Sequence, residues 1–286
     1  MRLIKNLKSS WQLLSIIVLG FILRFIFLDK IPIGITNDEL DYIINAKAIF
    51  LRFTDISGTW FPLSFTNPPF SYPKGEILYF ILSPLIGLMP FSLFFARLPS
   101  ALMGTLFIVL IYFIVKKLIG KPQAIIAALV MAVNPFSIFF ARTAYDTPIT
   151  IFFYFLAFYV VLVSKKWKIL FAAPIFAFAF FSYIGTKVIF VPFVLITVYY
   201  ACNYINNRKF CKQYLILIAI CFAMLLFYSL NLIQDSSGRV GDLVTPSSAS
   251  VSQMVDMERR LSISEPISNL FSNKYTVFTR ESLGIY

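Results

Sequence analysis

Residues 98–115 read LPSALMGTLFIVLIYFIV, and Lys116 and Lys117 follow at once. The run carries no charged residue. A helix rises about 1.5 Å per residue, so a run of this length comes close to the ~30 Å of hydrocarbon in a bilayer. Six other runs have the same character, at 13–28, 124–140, 149–163, 169–183, 188–202 and 214–233. The fold class that follows is all-α, a polytopic membrane protein of about seven transmembrane helices.

The rest of the chain agrees. It has 286 residues and a mean hydropathy of +0.82, and 13% of its residues are charged. A soluble domain carries about 25% charge, which excludes an ordinary globular protein, a disordered chain and a nucleic-acid binder. Histidine is absent, which removes a histidine-based triad, zinc site or general base. Cys202, Cys211 and Cys221 lie in or beside apolar runs and lack metal-ligand spacing.

The net charge of +12 acquires a meaning when it is read by location. Residues 1–10, 116–121, 165–168 and 206–212 hold three Lys or Arg each and no acidic residue. If these segments are cytoplasmic, all 13 acidic residues face outward. That is the positive-inside pattern, and it predicts a multi-pass plasma-membrane protein with a cytoplasmic N-terminus. Arg2, Lys5 and Lys8 then stay inside, and run 13–28 acts as an uncleaved signal anchor. The pattern survives only if one further apolar stretch, 77–95, does not cross fully. Pro84, Gly87 and Pro90 interrupt it, so it is expected to be re-entrant or interfacial, or part of a bent helix.

This topology predicts a transmembrane domain over 1–233, with a first external loop at 29–97 and a second at 141–148. Residues 234–286 form an extracytoplasmic tail that reads as incomplete, being too short to bury its own core.

The first loop opens with Thr36-Asn37-Asp38-Glu39. From Asp38 to Arg52, a step of about 100° per residue puts Asp38, Asp41, Tyr42, Asn45 and Arg52 on one face. Leu40, Ile43, Ile44 and Leu51 share the other. Such a helix is expected on the membrane surface, its apolar side in the lipid boundary or on the bundle. Thr36 and Glu39 match a capping box, a structural role that competes with catalysis for the acidic pair but does not need Asp38.

The second loop carries Arg142-Thr143-Ala144-Tyr145-Asp146-Thr147-Pro148. Asp146 sits where a helix N-cap is expected, and Arg142 has an ordinary reading as a snorkelling side chain. Asp38 and Asp146 nevertheless share the external side. Two carboxylates beside a cation suit acid/base work, or a divalent ion held against a phosphate. Lys74, near the end of the first loop, suits an anionic headgroup or an ordinary interfacial role. Arg24, near the outer end of the first run, snorkels or marks function.

In this order and spacing the residues resemble the GT-C superfamily of membrane glycosyltransferases, nearest to the protein mannosyltransferase and aminoarabinose transferase type. The resemblance rests on Asp38-Glu39 with Tyr42 and Ala46, on Phe95-Ala96-Arg97-Leu98-Pro99, and on Asn134-Pro135 with Phe139-Phe140-Ala141-Arg142. It covers roughly residues 13–163 and grows diffuse to 233. It implies transfer of a sugar from a polyprenyl-phosphate donor to a hydroxyl on protein, lipid or glycan at the extracytoplasmic face. Within it, Asp38 and Glu39 are the first-loop catalytic pair, with Asp38 as general base. Asp146 orients the acceptor or helps to bind a metal, and Tyr42, Lys74 and Arg142 contact substrate. No cofactor is required by the residues, and a divalent cation stays open. Relatives have more spans, so the chain is expected to correspond to their N-terminal portion. Two other classes compete: a flippase or transporter of a lipid-linked substrate, and a non-catalytic membrane subunit. A transporter calls for ionisable groups at mid-membrane, where the runs offer only Arg24.

Overall fold

The structure is a computed structural model that describes residues 2–56, 58, 65–66, 73–74, 77–89, 92–204 and 211–235. The side chains of residues 2–10, 65–66, 73–74, 184, 204, 211 and 230–235 are not among those described. Lys74 is therefore known only by its backbone, and Glu76 and the tail from 236 onward lie outside the described residues. The chain divides into two compact units, Met1–Phe227 and Tyr228–Tyr286. The architecture below is that of the first.

Ten helices carry the fold: α1 (Arg2–Phe25), α2 (Asn37–Arg52), α3 (Ile77–Leu88), α4 (Leu93–Leu118), α5 (Lys121–Val133), α6 (Pro135–Ala141), α7 (Thr147–Val163), α8 (Ala172–Ser182), α9 (Lys187–Tyr204) and α10 (Cys211–Asp235). Short 3-10 segments, Lys166–Phe171 and Ile184–Thr186, lead into α8 and α9. Between α2 and α3, β1 (Phe65–Thr66) pairs antiparallel with β2 (Pro73–Lys74), Phe65 opposite Lys74.

Each of the seven apolar runs coincides with a helix or helix pair. By length and composition, Leu93–Leu118 and Lys212–Ser229 are long and apolar enough to cross a membrane. α5 and α6 pass together, bent by 57°, as a broken span or a re-entrant loop. Trp11–Phe25, Thr147–Val163 and Lys187–Asn203 are apolar but shorter. α3 has 12 residues, about 18 Å of helix, which is too short to cross by itself. It stops before α4, whose N-cap is Ser92.

The bend between α5 and α6 has a local cause. Pro135 has no N–H to continue the helix. Asn134 restarts it, its side-chain oxygen accepting from the backbone N–H groups of Phe136 and Ser137. The break leaves the last carbonyls of α5 without helical partners. Arg24 supplies them. Its guanidinium donates to the carbonyls of Met131 and Ala132, to Gly20 and to the Ser137 hydroxyl. The intramembrane charge is therefore wholly buried and joins α1 to the broken helix.

Small residues bring the helices close. Ala124, Ala128 and Ala132 line one face of α5 against Ile16 of α1 and Ile108 and Tyr112 of α4. In membranes such stripes improve backbone approach, because lipid offers little hydrophobic drive between helices. At Gly104 an added Cβ would lie 2.6 Å from the Cβ of Ala141. Gly104→Val is expected to force α4 from α6 and cost about 1–3 kcal/mol. Thermal unfolding of the detergent-solubilised protein would detect it; an unchanged midpoint would remove the close-approach argument. Elsewhere the outward side chains are apolar, including Phe21 and Ile22 of α1, Ile126 and Val130 of α5, and Ile189 and Ile196 of α9.

Candidate active site

α2 starts where the capping box required. The Thr36 hydroxyl accepts from the Glu39 N–H, and Glu39 Oε2 accepts from the Thr36 N–H, each at 3.2 Å. Its faces are arranged differently from the simplest surface helix. Leu40, Ile44 and Leu51 do point outward, as a lipid-facing stripe should. The polar face turns inward, burying Asp41, Tyr42 and Asn45. A buried polar face needs partners, and α3 and α7 provide them. Tyr79 of α3 donates to Asp41 Oδ2 at 2.6 Å, and Asn45 donates to Asp41 Oδ1 at 3.1 Å. Tyr42 donates to Asp146 Oδ2 at 2.6 Å. The two tyrosine rings pack with centroids 4.8 Å apart.

Asp146 holds the N-cap position of α7, but its side chain makes no capping hydrogen bond. It is 5% exposed and aimed at α2. The ordinary role offered for it, capping, is absent. Asp38, one turn before Tyr42, is exposed. Tyr42 thus joins Asp146 across 104 positions, and Asp38 lies one turn before Tyr42 on the same helix. Burial, the Asp146 carboxylate and its hydrogen bond, then Tyr79 and Asp38, push the Tyr42 phenol well above its ordinary pKa. It remains a neutral donor at physiological pH.

This has a consequence for stability. The unfolded phenol releases its proton near pH 10, while the folded one retains it. Above that pH the native state binds more protons than the unfolded state, so stability falls as pH rises. Tyr42→Phe should flatten the alkaline decline in thermal midpoint. An identical decline in wild type and variant would assign it to other groups.

Glu39 is wholly buried. Arg97 of α4 donates to both its oxygens, Nε to Oε1 at 2.9 Å and Nη2 to Oε2 at 3.2 Å. The Ala144 N–H also donates to Oε1 at 2.8 Å. Arg97 further donates to the carbonyls of Leu28, Pro32 and Gly34. One ion pair therefore ties the segment after α1, the start of α2, α4 and the loop between α6 and α7 together. Arg97 was not among the residues singled out for the site, although its charge beside an apolar run was visible.

Arg142 is 6% exposed, which sets aside the snorkelling reading. Its guanidinium donates to the carbonyls of Leu23, Ile26, Phe27 and Ile31, at 2.7 to 3.2 Å. These carbonyls lie in the last turn of α1 and in the segment that follows it. Burial and the nearby Arg97 charge lower its pKa from the ordinary value.

α7 and α8 pack through their aromatic residues, with Phe178 of α8 stacked on Phe153 of α7 at 5.4 Å. Among the described residues, no group of three or more His, Cys, Asp or Glu is placed to hold a metal ion.

Residues 76–232 match the family described as dolichyl-phosphate-mannose-protein mannosyltransferase, and that is more than half of the chain. The chain belongs to this family. It is thus a glycosyltransferase of GT-C type by membership, and the family supports a polyprenyl-phosphate-linked sugar donor. No curated protein and no solved structure matches significantly. In this mannosyltransferase-family chain the match includes Arg97, Arg142, Asp146 and Tyr183, while Asp38 and Glu39 precede it.

Proposed function

We propose that the chain transfers a sugar from a polyprenyl-phosphate donor to a hydroxyl of a protein, lipid or glycan acceptor at the extracytoplasmic face of the plasma membrane. The observation that carries this reading is the 2.6 Å hydrogen bond from Tyr42 to Asp146, with Asp38 exposed one turn before Tyr42 on the same helix. Asp38 is the general base. It takes the proton of the acceptor hydroxyl as that oxygen bonds to the anomeric carbon. The bond from that carbon to the phosphate oxygen breaks, and its electron pair leaves with the polyprenyl phosphate. The carbon is attacked opposite the leaving group, so its configuration inverts.

Asp146 orients the acceptor, and Tyr42 fixes its carboxylate. Glu39 has no oxygen to spare for substrate, and its role in this reading is to position the loop that carries Asp38. The organisation supports a cytoplasmic N-terminus and seven crossings, with the basic segments inside. A transporter reading loses its one mid-membrane charge, because Arg24 is engaged in holding helix ends.

The test is sugar transfer by the full chain in liposomes supplied with a polyprenyl-phosphate-linked sugar and a hydroxyl acceptor. Transfer by wild type with loss in Asp38→Asn supports the reading. Equal activity in the two would remove Asp38 as base.

A further inference from the structure

A cavity of about 130 Å³ lies where α4, the α5–α6 break and the start of α7 meet. Its lining changes character along the helices. Gly104, Asn134, Ser137 and Thr147 make one part of it. Phe107 follows Gly104 by about one turn of α4, Ile151 follows Thr147 by about one turn of α7, and Met131 precedes Asn134 near the end of α5. α4 and α7 run in the same direction, since Phe107 meets Phe155 and Phe113 meets Tyr159. α5 returns from the Leu118 end of α4 after Ile119 and Gly120. On all three helices, therefore, the apolar position lies nearer the Leu118 end of α4 and the polar or glycine position nearer its start.

The polar part offers donors. The Asn134 oxygen is taken by the N–H groups of Phe136 and Ser137, so its NH₂ is what remains for a ligand. The Ser137 oxygen accepts from Arg24 at 2.9 Å, which leaves its O–H. The Thr147 hydroxyl adds another donor. Behind them lies a charge with neutral partners. Arg24 is wholly buried, and it donates to the carbonyls of Gly20, Met131 and Ala132 and to the Ser137 hydroxyl. Its Nε has no hydrogen-bond partner and lies 3.4 Å from where a Cβ on Gly104 would stand. Glycine at this position keeps the wall between guanidinium and cavity thin. A buried cation surrounded by neutral groups favours the negative end of a dipole placed near it. A hydroxyl that accepts from a guanidinium is also polarised as a donor.

The matching occupant carries an acceptor oxygen joined directly to an apolar chain. The mouth shows its source. Phe136 and Ile151 line the cavity and are also exposed, on helices of apolar composition. The carboxylate site lies on another side of α7, because Asp146 is aimed at Tyr42 of α2 while Thr147 and Pro148 face the cavity. We propose that this cavity holds one acyl chain of a membrane phospholipid, its ester carbonyl accepting from Ser137 and Asn134 and the first carbons of the chain lying against Phe107, Met131 and Ile151. A volume of this size takes a group of about six carbons, so the remainder of the lipid stays in the leaflet. The bound chain joins α4, α6 and α7 beside the turn that carries Asp146. The site is independent of the transferase reading.

The test is native mass spectrometry of the full chain in detergent, titrated with dioleoyl phosphatidylcholine or with its diether analogue, which keeps the headgroup and chains but lacks the carbonyls. Wild type should hold its first diester molecule about three- to tenfold more tightly than the diether, the scale of one hydrogen bond. Ser137→Ala should bring that ratio close to one. A general loss of fold weakens both lipids alike, so the ratio separates a lost hydrogen bond from a lost fold. Ile151→Trp, at a partly exposed position, fills the chain end of the cavity and should weaken both lipids about tenfold. Equal affinity for the two lipids in wild type would overturn the proposal. So would a ratio unchanged in Ser137→Ala, or diester binding unchanged in Ile151→Trp. Displacement of the diester by an equal concentration of polyprenyl phosphate would give the cavity to the sugar carrier and overturn it too.

Discussion

Asp38→Asn is expected to lower the rate of sugar transfer by roughly 10²–10⁴ at saturating donor, the usual contribution of a positioned general base. The substitution keeps the shape of the side chain and removes its capacity to accept a proton. Asp38 lies exposed in the first turn of α2. The capping box is made by Thr36 and Glu39 and does not use it. Loss of activity should therefore come without loss of folded protein, and KM for the donor should change little. Single-turnover transfer together with a thermal midpoint separates the two effects. A parallel fall in midpoint and rate would make Asp38 structural.

The second large effect is on stability. Glu39→Gln or Arg97→Met, made singly, leaves one charge or its donors buried without compensation. Breaking a buried pair in this way costs about 3–5 kcal/mol. Four segments lose their common anchor together, because the guanidinium also holds the carbonyls of Leu28, Pro32 and Gly34. Arg97→Lys should fail as well, since an ammonium cannot reproduce the planar fork. The double variant Glu39→Gln with Arg97→Met should regain part of the loss, as no unpaired charge remains. Denaturant unfolding in detergent would measure the cycle. Single variants within about 1 kcal/mol of wild type would show that water or lipid headgroups replace the pair.

Much of the site was legible from local pattern. Thr36 and Glu39 announced the start of α2, since a capping box joins residues three apart. Asn134-Pro135 announced a break, since proline lacks the donor that a continuing helix needs. The long-range partnerships were not legible. Tyr79 meets Asp41 across 38 positions, and Tyr42 meets Asp146 across 104. Nothing in spacing favours those pairs over others. The partners of Arg142 were equally out of reach of a linear reading, since its guanidinium meets carbonyls more than a hundred positions earlier in the chain.

From the amino-acid order alone came the properties set by nearest neighbours and by the bilayer. These are the apolar runs, the distribution of basic segments and the helix starts. Each depends on a residue's own transfer energy or on a hydrogen bond within one turn, so a linear reading captures it. The chain's three-dimensional packing decided which polar groups are buried in structural contacts. In a low-dielectric interior every buried donor and acceptor must be matched, and the match is found across whole helices. Arg24, Arg97 and Arg142 are absorbed by that requirement. Asp38 stays exposed at the edge of the acidic pair.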